Sequence, residues 1–429
     1  MEISIIGAGY VGLVTASCFA ELGNRVICVD NDLIKIKKLK KLILPIYEPG
    51  LKELVKRNVK RKRLSFSTSI KEAVDNSKII FIAVGTPAKE NGEPDLTGIE
   101  NVAFQVAKHL KSYRLIVEKS TVPVETGIWI KRTIQLNNIK KVDFDVASNP
   151  EFLREGSAIH DFMHPDRIIL GVESERAKEL LFRLYQPIKA PILITDIKSA
   201  ELIKHASNSF LATKISFINA IAQICEKTGA DIVKVAEGIG LDKRIGKEFL
   251  KAGAGYGGAC LPKDLDAFIN IAEKLGYDFQ LLKVVKKINE DQKNFIIKKI
   301  SNALWILEGK TVGVLGLTFK PNTDDIRNSV SLQIIEELKK ERVNIKAYDP
   351  KGIPKVRKLF KDIKLYNSPY KVAEDSDCLL VITEWEEFKN LNFNKIKRLM
   401  HQPLIVDARN IFDPEKLKTM GFQYIGVGR

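Results

Sequence analysis

Cysteine is scarce in this chain, with five residues among 429, at positions 18, 28, 225, 260 and 378. They are odd in number, scattered and never in C-x-x-C spacing, which argues against a disulfide framework or a structural zinc site. Histidine is as rare, with five residues at 109, 160, 164, 205 and 401. Acid–base chemistry is therefore not expected to rest on imidazole. His160 and His164 stand four apart in "SAIHDFMHPDR", but no cysteine or acid joins them at a recognised ligand spacing, so structural roles and no metal are expected. Long apolar runs are missing too. None approaches the roughly 18 residues needed to span a membrane, and the opening "MEISIIGAGYVG" shows no basic leader or cleavage site. A cytoplasmic protein without a membrane partner is expected.

Positive charge, by contrast, is plentiful: 69 Lys and Arg against 53 Asp and Glu give a net charge of +16. Much of the excess lies between Lys35 and Arg63, where Leu, Ile and Val break the basic run at helical intervals. That pattern fits amphipathic helices with a solvated Lys/Arg face. No zinc-finger or RNP-type signature accompanies it. No nucleic-acid partner is expected, whereas anionic small molecules are favoured.

The length predicts two or three domains. Over the first 150 residues, "EISIIGAG", "NRVICVD", "KIIFIAVGTP", "YRLIVEKSTV" and "FDVASNPEF" read as strands separated by helix-period segments. Such alternation predicts a parallel, doubly wound sheet with ligands at the carboxyl ends of its strands. "PDRIILGV" and "APILITD" extend it. From Ile197 to Gly229 there are 33 residues of helical periodicity without proline, read as one long helix. After a second helical block, "KTVGVLGLTF", "NIKAYDP", "DCLLVITEW" and "PLIVDARN" restart the strand rhythm. The expected fold class is α/β, two Rossmann-like doubly wound domains joined by a long central helix. The boundaries read 1–196, 197–303 and 304–429.

Three places carry chemistry. "GAGYVG" sets Gly7, Gly9 and Gly12 between a strand and a helix, the arrangement that brings backbone and a helix N-terminus to a pyrophosphate. Asp30 ends the next strand, 18 residues after Gly12. A carboxylate there accepts from ribose hydroxyls and repels a 2′-phosphate, so NAD is favoured over NADP, although Lys35 is near. "VGVLGLTFKP" repeats the start of this fingerprint without the third glycine, which weakens the case for a second dinucleotide. On the long helix, Lys204 and Asn208 are four apart and share a face; that spacing alone also fits a solvated surface. In "GAGYGGACLPKD" the glycines clear side chains from a loop that ends at Cys260, followed by Lys263 and Asp264. The other four cysteines sit in apolar settings and read as core. A thiolate used with NAD suggests oxidation to the acid level through a thiohemiacetal and a thioester.

In their order, these segments resemble the UDP-glucose 6-dehydrogenase family of nucleotide-sugar dehydrogenases. The likeness covers almost the whole chain, through "GAGYVG", "PIYEPGL", "VGTP", "EKSTVPVETG", "SNPEFLREGSAIHDFMHPDRI", "ELIKHASNSFLATKISFINAI", "RIGKEFLKAGAGYGGACLPKD" and "GLTFKPNTDDIRNS". "NPEFLREG" followed by "HPDR" resembles the UDP-glucose branch in particular. The resemblance implies four-electron oxidation of UDP-glucose to UDP-glucuronate, with two NAD per turnover. It implies that Cys260 carries the thiohemiacetal and thioester and that Lys204 steadies the oxyanion, with Asn208 beside it. Asp264 and Thr121 would hold or activate a water, and Glu151 would assist proton transfer.

For the cofactor, the same resemblance implies Gly7, Gly9, Tyr10, Val11, Gly12, Asp30, Lys35, Thr86, Thr121, Glu155, Lys263 and Arg327. For the UDP-sugar it implies Glu151, Phe152, Leu153, Arg154, Glu155, Lys204 and Asn208. To these it adds Phe249, Leu250, Lys251, Ala252, Gly253, Tyr256, Gly257, Lys320 and Arg409. The family more often reads "DGRN" where this chain has "DARN", so Ala408 is a departure beside Arg409. Arg244 would reach the sugar nucleotide from a partner subunit, implying a homodimer built around the long helix, with further assembly open. Three alternatives stay open at this stage. One is a sister enzyme acting on UDP-N-acetylmannosamine, UDP-N-acetylglucosamine or GDP-mannose. Another is a single-hydride dehydrogenase of the 6-phosphogluconate or hydroxyacyl type. The third is a non-catalytic NAD-binding regulator.

Overall fold

A computed structural model describes residues 1–429 apart from Ala88, Glu90 and Asn91. The chain divides into two units, Met1–Ser207 with Asp266–Leu275, and Asn208–Leu265 with Gly276–Arg429. The division falls inside the long helix Ile197–Thr228, which stops just before Gly229 in the left-handed region at φ +77°.

The first unit holds β1 (Glu2–Ile6), β2 (Arg25–Val29), β3 (Leu64–Ser67), β4 (Ile79–Ile82), β5 (Arg114–Glu118), β6 (Phe144–Ser148), β7 (Ile168–Gly171) and β8 (Ile192–Thr195). They lie in the order β3-β2-β1-β4-β5-β6-β7-β8. Strands covered on both faces read as unbroken apolar runs, and "IIFI" of β4 is buried at every position. The sheet departs from the all-parallel expectation at one place. β7 meets β6 antiparallel through Ser148 and Gly171. The connection between them carries the six-residue helix Ala158–Met163.

The close approach of the first helix, Tyr10–Glu21, to the sheet explains the fingerprint glycines. Gly7 has φ +108°, and a Cβ there would lie 2.3 Å from the Ala83 carbonyl oxygen. At Gly12 a Cβ would lie 1.8 Å from the Gly7 carbonyl oxygen. The helix then buries Leu13 to Ala20, with Phe19 packed against Phe81, Phe162 and Tyr185. Lys35–Arg63 forms two amphipathic helices. Leu33–Lys40 buries Ile36 and Leu39, and Leu51–Lys60 buries Leu51, Leu54 and Val55, while most of the lysines stay out.

The second unit holds β9 (Thr311–Leu315), β10 (Asn344–Tyr348), β11 (Lys364–Leu365), β12 (Cys378–Val381), β13 (Leu404–Asp407) and β14 (Gln423–Ile425). Their order is β11-β10-β9-β12-β13-β14, parallel throughout. β3, β11 and β14, absent from the sequence reading, are edge or near-edge strands of two to four residues. β11 and β14, at two and three residues, carry too few alternations to be read.

The two fingerprint glycines should respond differently to alanine. Gly12→Ala forces a backbone clash and is expected to lower the melting temperature by several degrees. Gly9→Ala, whose Cβ meets nothing within 4 Å, should leave it nearly unchanged. Scanning fluorimetry of both variants checks this.

Candidate active site

At the carboxyl ends of β1 and β2, Asp30 is fastened by its neighbours. Its Oδ2 accepts from Ala8 N–H at 2.8 Å and pairs with Lys35 Nζ at 2.8 Å, and its Oδ1 accepts from Asp32 N–H at 3.0 Å. Burial alone would raise the Asp30 carboxyl. The bonds from Lys35, Asp32 and Ala8 outweigh it and hold the group below the ordinary carboxylate range. Gly9 is exposed at the N-terminus of the first helix, where no side chain caps the helix. That open backbone, backed by an ionised acid, fits a dinucleotide.

Tyr10, beside Gly9, is locked by its phenol. The hydroxyl donates to Glu48, and Gly156 N–H donates to both the Tyr10 oxygen (3.1 Å) and Glu48 Oε2 (2.6 Å). Glu48 Oε1 takes Ala158 N–H at 2.8 Å. Burial and the Glu48 charge raise the Tyr10 phenol. Sequence reasoning quoted "PIYEPGL" but missed Glu48 as the clasp on the loop that carries Glu151 to Glu155. A lone acid between Tyr and Pro gives no local sign that it will be buried.

The long helix brings Lys204 onto Glu151, Nζ to Oε1 3.0 Å, both side chains nearly sealed from solvent. Phe152 lies under the Lys204 ammonium at 5.3 Å and under the Arg167 guanidinium at 3.7 Å. Arg154, by contrast, is exposed and forks onto Asp161. Leu153 is half-buried against the core of the first unit. Thr121 accepts at its carbonyl from Thr86 Oγ1 at 2.9 Å. Its loop is gripped from the long helix: Glu201 accepts Glu125 N–H and Gly127 N–H, both at 2.7 Å, and a His205 ring nitrogen meets the Val122 carbonyl at 2.6 Å. Burial pushes Glu201 up to about 7. Glu118, one strand position before Lys119, is pushed up to about 8 by burial, with the Glu201 charge adding to it.

In the second unit Cys260 is exposed, while Cys18, Cys28, Cys225 and Cys378 are buried. Burial pushes the Cys28 and Cys378 thiols up to about 12, which leaves them inert as nucleophiles. The Cys260 carbonyl takes the first helical bond, from Asp264 N–H at 2.8 Å. Cys260 therefore caps the N-terminus of the helix Leu261–Lys274, the end whose dipole favours negative charge. Asp264 is fully buried, taking a hydrogen bond from Asn208 Nδ2 at 2.5 Å and an ion pair from Lys263 at 2.8 Å.

The glycine loop before Cys260 has a different physical reason from the expected one. Its Cβ positions are filled by the unit itself. A Cβ on Gly253 would lie 2.6 Å from the Ala408 carbonyl oxygen, and one on Gly257 would lie 2.2 Å from that of Asn328. Leu250 and Ala252 belong to the core and Tyr256 is buried, so a ligand role at these positions falls to backbone. Phe249 holds φ +65°, a strained state for an aromatic residue. Lys251 is exposed and Lys320 half-buried beside Phe319. Arg409 reaches the loop, donating to Gly255 C=O at 3.1 Å and to Ile382 C=O at 2.6 Å. Ala408 is buried and is not among the left-handed residues, so alanine replaces the more usual glycine there without strain. Arg327 is forked onto Asp325, and Arg244 is exposed on Asp242.

The repeated fingerprint in this unit is closed. Asp349, which ends β10 as Asp30 ends β2, receives Leu317, Thr318, Lys351 and Gly352 N–H, Thr318 O–H and Trp385 Nε1–H. A carboxylate so fully engaged has no lone pair left for a ribose. That agrees with fold duplication for another ligand.

Residues 1–189 match the NAD binding domain of the UDP-glucose/GDP-mannose dehydrogenase family, 198–291 its central domain and 313–414 its UDP binding domain. A UDP-glucose 6-dehydrogenase of Bacillus subtilis, TuaD, is 48% identical over all of this chain and 93% of its own length. One from Rhizobium meliloti is 45% identical over the whole of both. The solved UDP-glucose dehydrogenase of Pyrobaculum islandicum superimposes with a TM-score of 0.93 at 38% identity, covering 100% of this chain and 98% of that one. A UDP-D-ManNAc dehydrogenase from Pyrococcus horikoshii gives 0.88 at 29%, covering 100% and 99%.

The Glu118 carboxyl should show in the pH dependence of stability. Ionising near 4.5 when unfolded and near 8 when folded, it contributes stability that is complete below about pH 4.5 and lost as pH rises through about 8. Glu118→Gln cannot ionise. Its melting temperature should match the parent near pH 5 and exceed it by a few degrees near pH 9. A difference that stays flat with pH would show that Glu118 is not held neutral.

Proposed function

Since the chain belongs to the UDP-glucose/GDP-mannose dehydrogenase family, we propose that it oxidises UDP-glucose to UDP-glucuronate. The balance is one UDP-glucose, two NAD and one water giving UDP-glucuronate, two NADH and three protons. Bound NAD supplies the hydride acceptor for each oxidation. Gly7, Gly9, Gly12, Tyr10 and Val11 hold its pyrophosphate end, Asp30 with Lys35 its ribose, and Thr86, Thr121, Glu155, Lys263 and Arg327 the remainder.

The observation that carries the reading is Cys260, an exposed thiol at a helix N-terminus in a chain whose other cysteines are core. Its sulfur adds to the aldehyde carbon, and loss of hydride from that adduct leaves a thioester. Water breaks the C–S bond, returning the thiol and releasing the carboxylate. Lys204 steadies the developing oxyanion in a dry site, Asn208 and Asp264 with Thr121 orient the water, and Glu151 shuttles the proton. The UDP-sugar rests on the Glu151–Glu155 segment and on Phe249–Gly253, Tyr256, Gly257, Lys320 and Arg409.

The chain works as three segments, 1–196, 197–303 and 304–429. The family matches at 1–189, 198–291 and 313–414 fall within them. Leu202, Phe210, Phe217 and Ile224 are exposed along the long helix, which supports a homodimer formed there with Arg244 reaching the partner's substrate. No described helix is long and apolar enough to cross a membrane, and we read the enzyme as cytoplasmic.

NADH yield tests the reaction. About two NADH per UDP-glucose are expected, and Cys260→Ala should form no UDP-glucuronate; substantial acid from that variant rules out the thioester route. Sedimentation beside an activity assay tests assembly. The active species should be a dimer or larger, and a fully active monomer contradicts the role given to Arg244.

A further inference from the structure

Lys119 follows directly after β5, and its side chain is 4% exposed. Its ammonium donates to Asn149 Oδ1 at 3.0 Å and to the Asn149 carbonyl at 3.3 Å. Burying an ammonium on neutral oxygens is unfavourable, and burial duly pulls Lys119 down to about 8, with the Glu151 charge opposing and Lys204 adding to the shift. Stability alone would be better served by an apolar residue.

The position of Lys119 suggests what the cost secures. β5 and β6 pair in register up to Glu118 and Ser148, and Asn149 N–H donates to the Glu118 carbonyl at 2.8 Å. Beyond that rung the backbones part. Lys119 and Ser120 N–H both turn to Ile82 of β4. Asn149 is held by side-chain bonds, its Nδ2 donating to Ile169 C=O at 2.8 Å and its Oδ1 accepting from Tyr185 O–H at 2.5 Å. Thr121 comes two residues after Lys119, and Glu151 two after Asn149.

We propose that Lys119 is a positioning residue for the reaction, locking the ends of β5 and β6 together through Asn149 so that Thr121 and Glu151 are held at a fixed separation. The proposal rests on the reading of those two residues as active-site groups. Lys119→Met keeps the stem and removes the donor, while Lys119→Gln keeps a donor without charge. For the Met variant, kcat for NADH formation from UDP-glucose should fall about 10- to 100-fold, with both KM values within about threefold, because small misplacements of reacting groups act on kcat. The Gln variant should recover most of that loss. A merely structural lysine would lower the melting temperature without that split or rescue.

A folded Lys119→Met with kcat within about twofold of the parent overturns the proposal. So does a crystal structure of that variant in which residues 120–122 and 149–151 keep the parent's separation. If Lys119→Met does not fold, Tyr185→Phe decides, since it loosens Asn149 from the other side. A kcat lowered about fivefold supports the lock, and an unchanged one overturns it. A parent that makes no NADH from UDP-glucose defeats the functional reading and this proposal together. An active parent with an active Met variant defeats this proposal alone.

Discussion

A charged side chain taken out of water must find its opposite or be neutralised. The first unit is arranged around one such requirement, the ammonium of Lys204 against the carboxylate of Glu151. Meeting it requires a helix stiff enough to carry Lys204 inward and a loop firm enough to hold Glu151 under it. The 32-residue helix supplies the first. Glu48, clasping Gly156 and Ala158, and Asn149, pinned to Lys119, Ile169 and Tyr185, supply the second. Removing one partner of a buried pair leaves an uncompensated charge, so these supporting groups matter as much as the pair itself.

The same strand topology appears twice in the chain with opposite chemical outcomes. In both sheets a glycine with positive φ follows the first strand, Gly7 and Gly316, and an aspartate ends the second, Asp30 and Asp349. Asp30 receives Ala8 and Asp32 N–H and pairs with Lys35, near a helix N-terminus that no side chain caps. Asp349 is consumed by six donors, two of them from the side chains of Thr318 and Trp385. Fold and strand-end acid are shared, so the difference lies in what surrounds the acid. That is why function has to be taken from the site rather than the topology.

Much of this was legible beforehand, for identifiable reasons. Long apolar strands such as "KIIFIAVGTP" and the proline-free run of the long helix declare themselves by period alone. Gly7 and Gly12 belong to a motif of fixed spacing and so were captured locally, although the atoms that exclude a side chain at Gly7 are those of Ala83, beyond β4. Cys260 stood out because glycines and charges surround it, where the other four cysteines have apolar neighbours. The antiparallel β7 was not legible, because strand direction depends on how the connecting segment turns. Nor were Lys119, Glu48 and Glu201, each an ordinary charged residue in the sequence whose side-chain partners lie 30 to 110 residues away, nor Glu118, whose burial the neighbouring residues do not announce.

The sequence by itself determined the fold class, the cofactor fingerprint and the singular cysteine, because each is declared by the types and spacing of residues close along the chain. Only the tertiary structure decided which charges are buried, which acids are spent on holding loops and which remain ionised. It also reassigned the glycines before Cys260, whose missing side chains make room for Ala408 and Asn328 of the chain itself. Desolvation and close packing are properties of surroundings assembled from distant segments, and no local pattern encodes them.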